Sequence, residues 1–390
     1  MHDSNPLISV VIPVYNGGDD FRRCLKALTA SVNRDFTVKP LPQSITQRGP
    51  VGDRLSAHQS GSAIMAARSV EIIVVSDGDS DGSWRLAEAS GVRLIRLPES
   101  GGPAKARNIG AKLANGDILF FVDADVEVHP NTLAQVAQSF EADASLAALI
   151  GSYDDAPGAP NFLSQYKNLI HHYTHQQAGL EASTFWGACG AIRRPVFEAV
   201  GGFDEGYRRP CIEDIELGYR LKYAGYPIHL RSDIQVKHLK RWTPMTLLRA
   251  DIFYRALPWM NLLMQVQRTR PAFYQRFTQE LNLNWSSKVS VILVFGLLLS
   301  AVGVGVGAIA FDASPTVSVW GLASGSLLWW TTALLCGLGL LLINLPVYRF
   351  FYQRHGWLFA LKTVPWHWLY FFYSGLVYAY TTARYRLRPG

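Results

Sequence analysis

Apolar and polar positions alternate in short blocks over the first two-thirds of this chain, and the blocks lengthen sharply towards its end. Residues 7–14, LISVVIPV, form an uncharged β-branched run closed by Tyr15, Asn16, Gly17 and Gly18, which predicts a buried strand followed by a turn. Over 19–30 the apolar residues Phe21, Cys24, Leu25 and Leu28 recur at helical spacing behind an acidic start, the pattern of a helix N-terminus. EIIVVS at 71–76 and VRLIRL at 92–97 predict two further strands. ILFFV at 118–122 is apolar throughout and predicts a strand buried on both faces. Strands alternating with helices predict an α/β domain with a mostly parallel central sheet, flanking helices and right-handed crossovers. Residues 33–69, with Pro40, Pro42, Gly49, Pro50, Gly52 and Gly61 and few large apolar side chains, read as an inserted flexible loop.

The later blocks have another period. Residues 289–311 are uninterrupted apolar sequence, about the 20 residues that span a bilayer. Residues 319–345 contain no charge either, and the segment around Asp312 and Pro315 is expected to turn the two into a hairpin, with Gly303, Gly305 and Gly307 allowing close packing. A third segment, 364–382, is rich in Trp and Tyr and carries Pro365 and His367; arginines flank it on both sides, so it either spans or lies in the interface, with spanning preferred. Residues 241–288 combine an apolar face with arginines, the composition of interfacial amphipathic helices. The expected organisation is a cytosolic domain over 1–240, interfacial helices over 241–288 and a transmembrane region over 289–390, in a bacterial inner or plasma membrane.

Charge fits that division. The net +7 over 390 residues comes from arginines and lysines such as Arg268, Arg270, Arg276 and Lys288, beside the apolar segments, which points to anionic lipid. Nucleic acid is disfavoured, because the basic residues are not interleaved with aromatics along the soluble part. Cys24, Cys189, Cys211 and Cys336 lack C-x-x-C spacing and read as buried free thiols, and the N-terminus lacks the charged and apolar regions of a signal peptide.

Candidate chemistry lies at the strand ends. Asp77, Asp79 and Asp81 follow one strand, Asp123 and Asp125 another, and Glu213–Asp214 comes later. In open α/β sheets ligands collect beyond the carboxyl ends of strands, where Tyr15 and Asn16 would join these acids. Carboxylates so close together repel unless a cation neutralises them, and a divalent metal bridging to phosphate does so. Each Asp alone could instead cap the next helix. The chain has neither G-x-G-x-x-G after its first strand nor a Walker A pattern.

Five ordered blocks, SVVIPVYN, EIIVVSDGDSDGS, GPAKARNIGAKLANGDILFFVDADVEVHP, GACGAIRRPVFEAVGGFDE and EDIELGYRLKYAGY, together resemble the family 2 glycosyltransferases over about residues 7–242. The resemblance implies a GT-A fold, a nucleotide-sugar donor, a divalent metal (Mg or Mn) and inversion at the anomeric carbon. It assigns Tyr15 and Asp77 to the donor's base and ribose, with Pro13 and Asn16 shaping the same donor-binding turn, places Arg107 near the donor's phosphates with Arg241 as a further donor-binding residue, and gives Asp123 and Asp125 to the metal. Glu213–Asp214 matches the acidic pair near the acceptor, with Asp214 as general base and Glu213 orienting it or meeting the helix dipole.

VKHLKRW at 236–242 is similar to the Q-x-x-R-W signature of processive members, with His238 in place of the glutamine. His238 is therefore a candidate metal or diphosphate ligand, and Trp242 is assigned to the acceptor. Ser76 and Asp79 also depart from the usual D-D-G-S. The function implied is a membrane-bound inverting glycosyltransferase with a lipid-linked or polysaccharide (glycan) acceptor, in polysaccharide or glycolipid biosynthesis. A sugar nucleotidyltransferase, or a catalytically silent membrane scaffold on the same fold, are the competing readings.

Overall fold

The computed structural model describes residues 8–35, 37–38, 69–272, 285–313 and 319–387, without the side chains of 33–38 and 307–326. The chain divides into two compact units, Met1–Gly158 with Gly179–Lys240, and Ala159–Ala178 with Arg241–Gly390.

In the first unit, β1 (Ile8–Val14), β3 (Ser69–Asp77), β4 (Arg93–Leu97) and β5 (Ile118–Val122) form the parallel half of one sheet, joined by α1 (Gly18–Asp35), α2 (Ser83–Ala89) and α3 (Pro103–Leu113). The expected strands and first helix are all present, the helix running five residues beyond Ala30. A two-residue strand, β2 (Thr37–Val38), pairs in parallel with β3; the rest of the loop expected over 33–69 lies almost wholly outside the described residues. The mostly parallel α/β sheet is borne out.

The second half of the sheet is mixed. β8 (Cys189–Arg193) runs antiparallel to both β5 and β7 (Ala148–Tyr153), β7 is parallel to β9 (Ile228–His238), and β9 is antiparallel to β6 (Val126–Val128). Helices α4 (Thr132–Ala142), α6 (Arg194–Ala199) and α7 (Glu213–Tyr223) complete the unit.

The core follows from side-chain type. Every residue of β1 except Pro13 is buried, and α1 presents Phe21, Cys24, Leu25, Leu28 and Val32 to it. Helix α3 lies so close to the sheet that a Cβ on Gly110 would stand 2.4 Å from Val11 Cγ1 and 3.2 Å from Val75 Cγ2. Gly110→Ala should lower stability. Overpacking a dense core costs about 1–3 kcal/mol, more than the roughly 1 kcal/mol that alanine's helix propensity returns, and thermal unfolding of the purified protein should show the lower midpoint. Of the four free cysteines, Cys24 and Cys189 are buried as expected, but Cys211 and Cys336 are only half-buried. Cys211 precedes the start of α7 and Cys336 lies in the long apolar helix Val319–Ile343, neither inside the sheet's core.

The second unit is helical. It holds α5 (Phe162–Gln177), α8 (Pro244–Arg249), a π-helical turn at Ala250–Ala256, α9 (Leu257–Thr269) and three long helices, Trp285–Ala313, Val319–Ile343 and Leu345–Leu387. The last is broken at Gly356, whose φ of 79° is left-handed. Thr243 opens α8 with a reciprocal capping box to Thr246. Buried Asp251 accepts hydrogen bonds from Lys167 Nζ (2.7 Å) and Tyr373 Oη (2.7 Å), tying α5, the π-helical turn and the last helix together.

The apolar segments form helices. Trp285–Val306 is long and apolar enough to cross a membrane, and Leu327–Ile343 passes the same criterion together with Leu345–Leu387, to which it is bent by 62°. Leu299, Val302, Leu335 and Leu342 expose their side chains. Gly303 receives the Trp329 indole, where a Cβ would meet the ring at 2.3 Å, while Gly305 faces open space. The turn expected around Asp312 and Pro315 lies mostly outside the described residues.

Candidate active site

Helix α3 delivers the central residue. It starts at Pro103 after Gly102, whose φ of 92° and 2.5 Å approach of a would-be Cβ to the Arg208 carbonyl exclude other side chains. One turn in stands Arg107, 4% exposed. Its two Nη groups donate to different acids, Asp123 Oδ1 at 2.6 Å beyond β5 and Glu213 Oε1 at 2.9 Å on the first residue of α7. Two acids more than 80 residues apart in sequence thus share one guanidinium, whose fork suits two carboxylates at once. Burial opposes the charge of Arg107, but Asp123 and Glu213 outweigh it and raise its pKa further. Glu213 Oε2 also accepts from the Cys211 amide at 2.8 Å.

Asp214, the next residue, is half-buried and accepts hydrogen bonds from the backbone N–H of Gly187 (3.1 Å) and Ile215 (2.8 Å). Burial, then the negative charge of Glu213, push its carboxyl up to about 7, against the Gly187 hydrogen bond and the charge of Arg107. A carboxylate poised near neutrality can both hold and release a proton there.

Asp125 lies on the other side of the β5–β6 turn. Its backbone carbonyl accepts from Leu239 N (2.9 Å), which places its carboxylate 3.8 Å from His238 Nε2 and 3.7 Å from Lys240 Nζ. Burial opposes ionisation of Asp125, yet His238 and Lys240 hold its carboxyl well below the usual carboxylate range. His238 pairs opposite Val126 in the sheet, and its ring stacks on Tyr153 at 4.3 Å with 10° between planes. Trp186 in turn meets Tyr153 edge-on at 4.7 Å.

The nucleoside-side residues divide. Tyr15 is 58% exposed, free to meet a ring. Asn16, at a φ of 52°, accepts from the Ser80 and Asp81 amides (2.8 and 3.2 Å) and so fixes the β3–α2 loop against the end of β1. Asp81 accepts from Ser83 N (2.9 Å) and Gly18 N (3.1 Å), and Asp79 from Trp84 N (3.3 Å), so these two acids serve the turns. Asp77 is 3% exposed and accepts from Ser100 Oγ (2.8 Å), Gly101 N (2.8 Å) and Gly102 N (2.9 Å). It holds the loop that starts α3. Pro13 is a strand residue paired with Val75.

Asp123, Arg107, Glu213 and Asp214 therefore come together, and Asp125 comes to His238. Asp77 bonds the loop that starts α3, and Arg107 bonds Asp123 and Glu213 through its two Nη groups while its Nε makes no hydrogen bond. Arg241 and Trp242 belong to the second unit, where Trp242 packs with Leu163 and Leu247 and its amide donates to Ser164 Oγ at 2.7 Å. Among the described residues no three His, Cys, Asp or Glu side chains are arranged to hold a metal ion. The expected trio falls short because Asp123 faces Arg107, leaving Asp125 with His238. These two still offer a carboxylate oxygen and an imidazole nitrogen to one ion that diphosphate oxygens would complete, a mixed oxygen and nitrogen set that fits Mn better than Mg, which prefers oxygen alone. Tyr153, Lys240 and Gly187 escaped sequence reading. Only the alternating pattern around β9 could have signalled that Lys240 and His238 flank one acid.

Residues 62–201 match the family model for glycosyl transferase family 2. The chain carries a family 2 glycosyltransferase domain. The chain is 33% identical to the uncharacterized glycosyltransferase YibD of Escherichia coli over 134 residues, which is 33% of this chain and 29% of that protein. The chain is 27% identical to the probable glycosyltransferase YdaM of Bacillus subtilis over 237 residues, 57% of this chain and 48% of that protein. The chain thus spans less than half the length of either relative. A solved mannosyltransferase from Pyrobaculum calidifontis, in complex with GDP-Man and Mn2+, is 18% identical with a TM-score of 0.50 over 88% of each chain. The family 2 domain and that protein share the GT-A fold.

Proposed function

We propose that this family 2 domain makes the chain a membrane-bound inverting glycosyltransferase, moving a sugar from a nucleotide-sugar donor to a lipid-linked or polysaccharide acceptor. The observation that carries the reading is the Arg107 bridge between Asp123 and Glu213, with Asp214 beside it poised near neutrality. Asp214 takes the acceptor hydroxyl's proton as the new C–O bond forms and the bond to the diphosphate breaks, leaving a nucleoside diphosphate. Glu213 keeps Asp214 basic through its charge, and Gly187 N–H fixes the carboxylate's direction. Exposed Tyr15 offers a face to the base. A divalent ion, held by Asp125 and His238, supplies charge neutralisation for the diphosphate when bound. The helices with exposed apolar side chains seat the enzyme in the membrane, and the mannosyltransferase neighbour's Mn2+ supports a metal requirement here.

The purified protein in detergent, offered a panel of nucleotide-sugars with Mn2+ or Mg2+, should release one nucleoside diphosphate only when the metal is present. Absence of nucleotide binding with either ion, in protein that unfolds cooperatively, would refute the reading.

A pH profile gives a second check. The base works ionised, so kcat/KM should rise about tenfold per pH unit on the acid side and level off above roughly 7. Glu213→Gln removes the repelling charge and should move that limb to lower pH. An unmoved limb would assign the titration to another group.

A further inference from the structure

His238, which with Asp125 is offered to an ion, rests on an aromatic stack that the transfer chemistry itself does not use. β7 and β9 run in parallel with Ile150 opposite Leu230, but after a shift of register Ser152 stands opposite Gln235 and Tyr153 opposite Val236. Irregularities of this kind re-aim side chains next to functional sites. Gly151 lies at the shift, where a Cβ would stand 2.5 Å from the Ile234 carbonyl oxygen. Residues two apart on a strand share a face, so His238 projects to the same side as Val236, and hence as Tyr153. The two rings meet there at 4.3 Å with 10° between their planes.

The backbone around the stack is held at several points. Asp154 N–H donates to the Val236 carbonyl at 2.8 Å, and Gly158 N–H to the His238 carbonyl at 2.9 Å. Asp154 and Lys237, next in sequence to the two rings, form an ion pair at 3.1 Å. These contacts fix where the His238 side chain starts, not how its imidazole turns. Nε2 stands 3.8 Å from Asp125 Oδ2, too far for a hydrogen bond to set the ring's plane. The ring stacked on its face sets it instead. Tyr153 is buried, and Trp186 meets it edge-on at 4.7 Å, so it is enclosed rather than offered to a substrate.

We propose that Tyr153 is a positioning residue for the divalent ion: its ring holds the His238 imidazole in the plane that keeps Nε2 beside Asp125. Tyr153 acts through His238 and touches neither the ion nor the sugar. The inference deepens the reading above and rests on its metal assignment. Partners that orient a metal-ligating histidine carry about 10–100-fold in metal affinity, and a contact through the ring face belongs near the lower end of that range.

Mn2+ binding to the full chain in detergent, with excess UDP or GDP present and followed by water-proton relaxation, tests the proposal. Tyr153→Leu keeps an apolar side chain but removes the flat face, and should raise the Mn2+ concentration for half-saturation about tenfold. Tyr153→Phe keeps the face and should bind Mn2+ like the wild type. Phe140→Leu, a change in the same hydrophobic core, controls for general loosening and should leave Mn2+ binding unchanged. In nucleotide release, saturating Mn2+ should restore most of the turnover that Tyr153→Leu loses, because the residue acts on capture of the ion and not on the transfer step. Unchanged Mn2+ binding in Tyr153→Leu, an equal loss in Tyr153→Phe or in Phe140→Leu, or turnover that stays low at saturating Mn2+ would each overturn the proposal. Wild-type protein that binds no Mn2+ under these conditions would refute the metal assignment and the proposal with it, whereas wild-type binding that persists undiminished in Tyr153→Leu refutes the proposal alone.

Discussion

Asp214→Asn should reduce sugar transfer by about 10²–10⁴-fold, the usual contribution of a positioned general base. The replacement is isosteric. An amide oxygen can still accept from Gly187 N–H, now 3.1 Å from the carboxylate, while the amide nitrogen gives up the bond from Ile215 N–H at 2.8 Å, a local cost that the binding control reads. What disappears is basicity: a hydroxyl must lose its proton as it attacks, and Asn cannot take it. The comparison belongs at about pH 8, where an acid pushed up to about 7 is mostly ionised in the wild type. Nucleotide affinity, followed by calorimetry, should stay within a few-fold. Equal loss of binding and turnover would instead assign Asp214 a structural part.

Arg107→Met carries the largest expected cost to stability. Arg107 and Glu213 are both about 5% exposed at the side chain, and Asp123 is one-third exposed. Removing the guanidinium leaves one buried carboxylate, and a second partly buried one, without their counter-charge. Breaking a buried pair from one side costs about 3–5 kcal/mol. For a unit of this size each kcal/mol lowers the midpoint of unfolding by about 2–4 °C, so a fall on the order of 10 °C is expected.

The double variant separates causes. If the cost is the orphaned charge, Arg107→Met/Glu213→Gln should recover part of the loss, because the neutral amide is far cheaper to bury. If it is lost packing against Phe203, 5.4 Å from the guanidinium, the second change should recover nothing. Arg107→Lys should fall between, since one ammonium cannot reproduce the fork that meets two carboxylates at 2.6 and 2.9 Å.

The two effects have one origin. The carboxylates that would do the chemistry are costly to bury together, and Arg107 makes their assembly tolerable. Its own position depends on Asp77, which holds the loop entering α3. Activity and stability therefore meet at one helix start, and variants at Asp77 should disturb both.

Periodicity by itself determined much of this protein. β1 is an uncharged run, β5 is apolar throughout, β3 carries the apolar stretch IIVV and β4 sets Leu94, Ile95 and Leu97 among arginines, α1 repeats at helical spacing, and the C-terminal segments are too long and apolar to read as strands, because burial on two faces leaves few residue types acceptable. The acids at strand ends were equally legible, since a parallel sheet delivers successive strand ends to one edge. Tertiary structure decided the rest. Whether a carboxylate points at a ligand, a loop amide or an arginine depends on neighbours distant in sequence: Asp77 turns to Gly101 and Gly102, Asp123 to Arg107, Asp125 to His238. The mixed half of the sheet was hidden for a related reason. β8 owes its place to β5 and β7, and β9 to β7, partners whose paired residues lie 40 to 83 residues away, and local pattern carries no information about which strand a strand will meet.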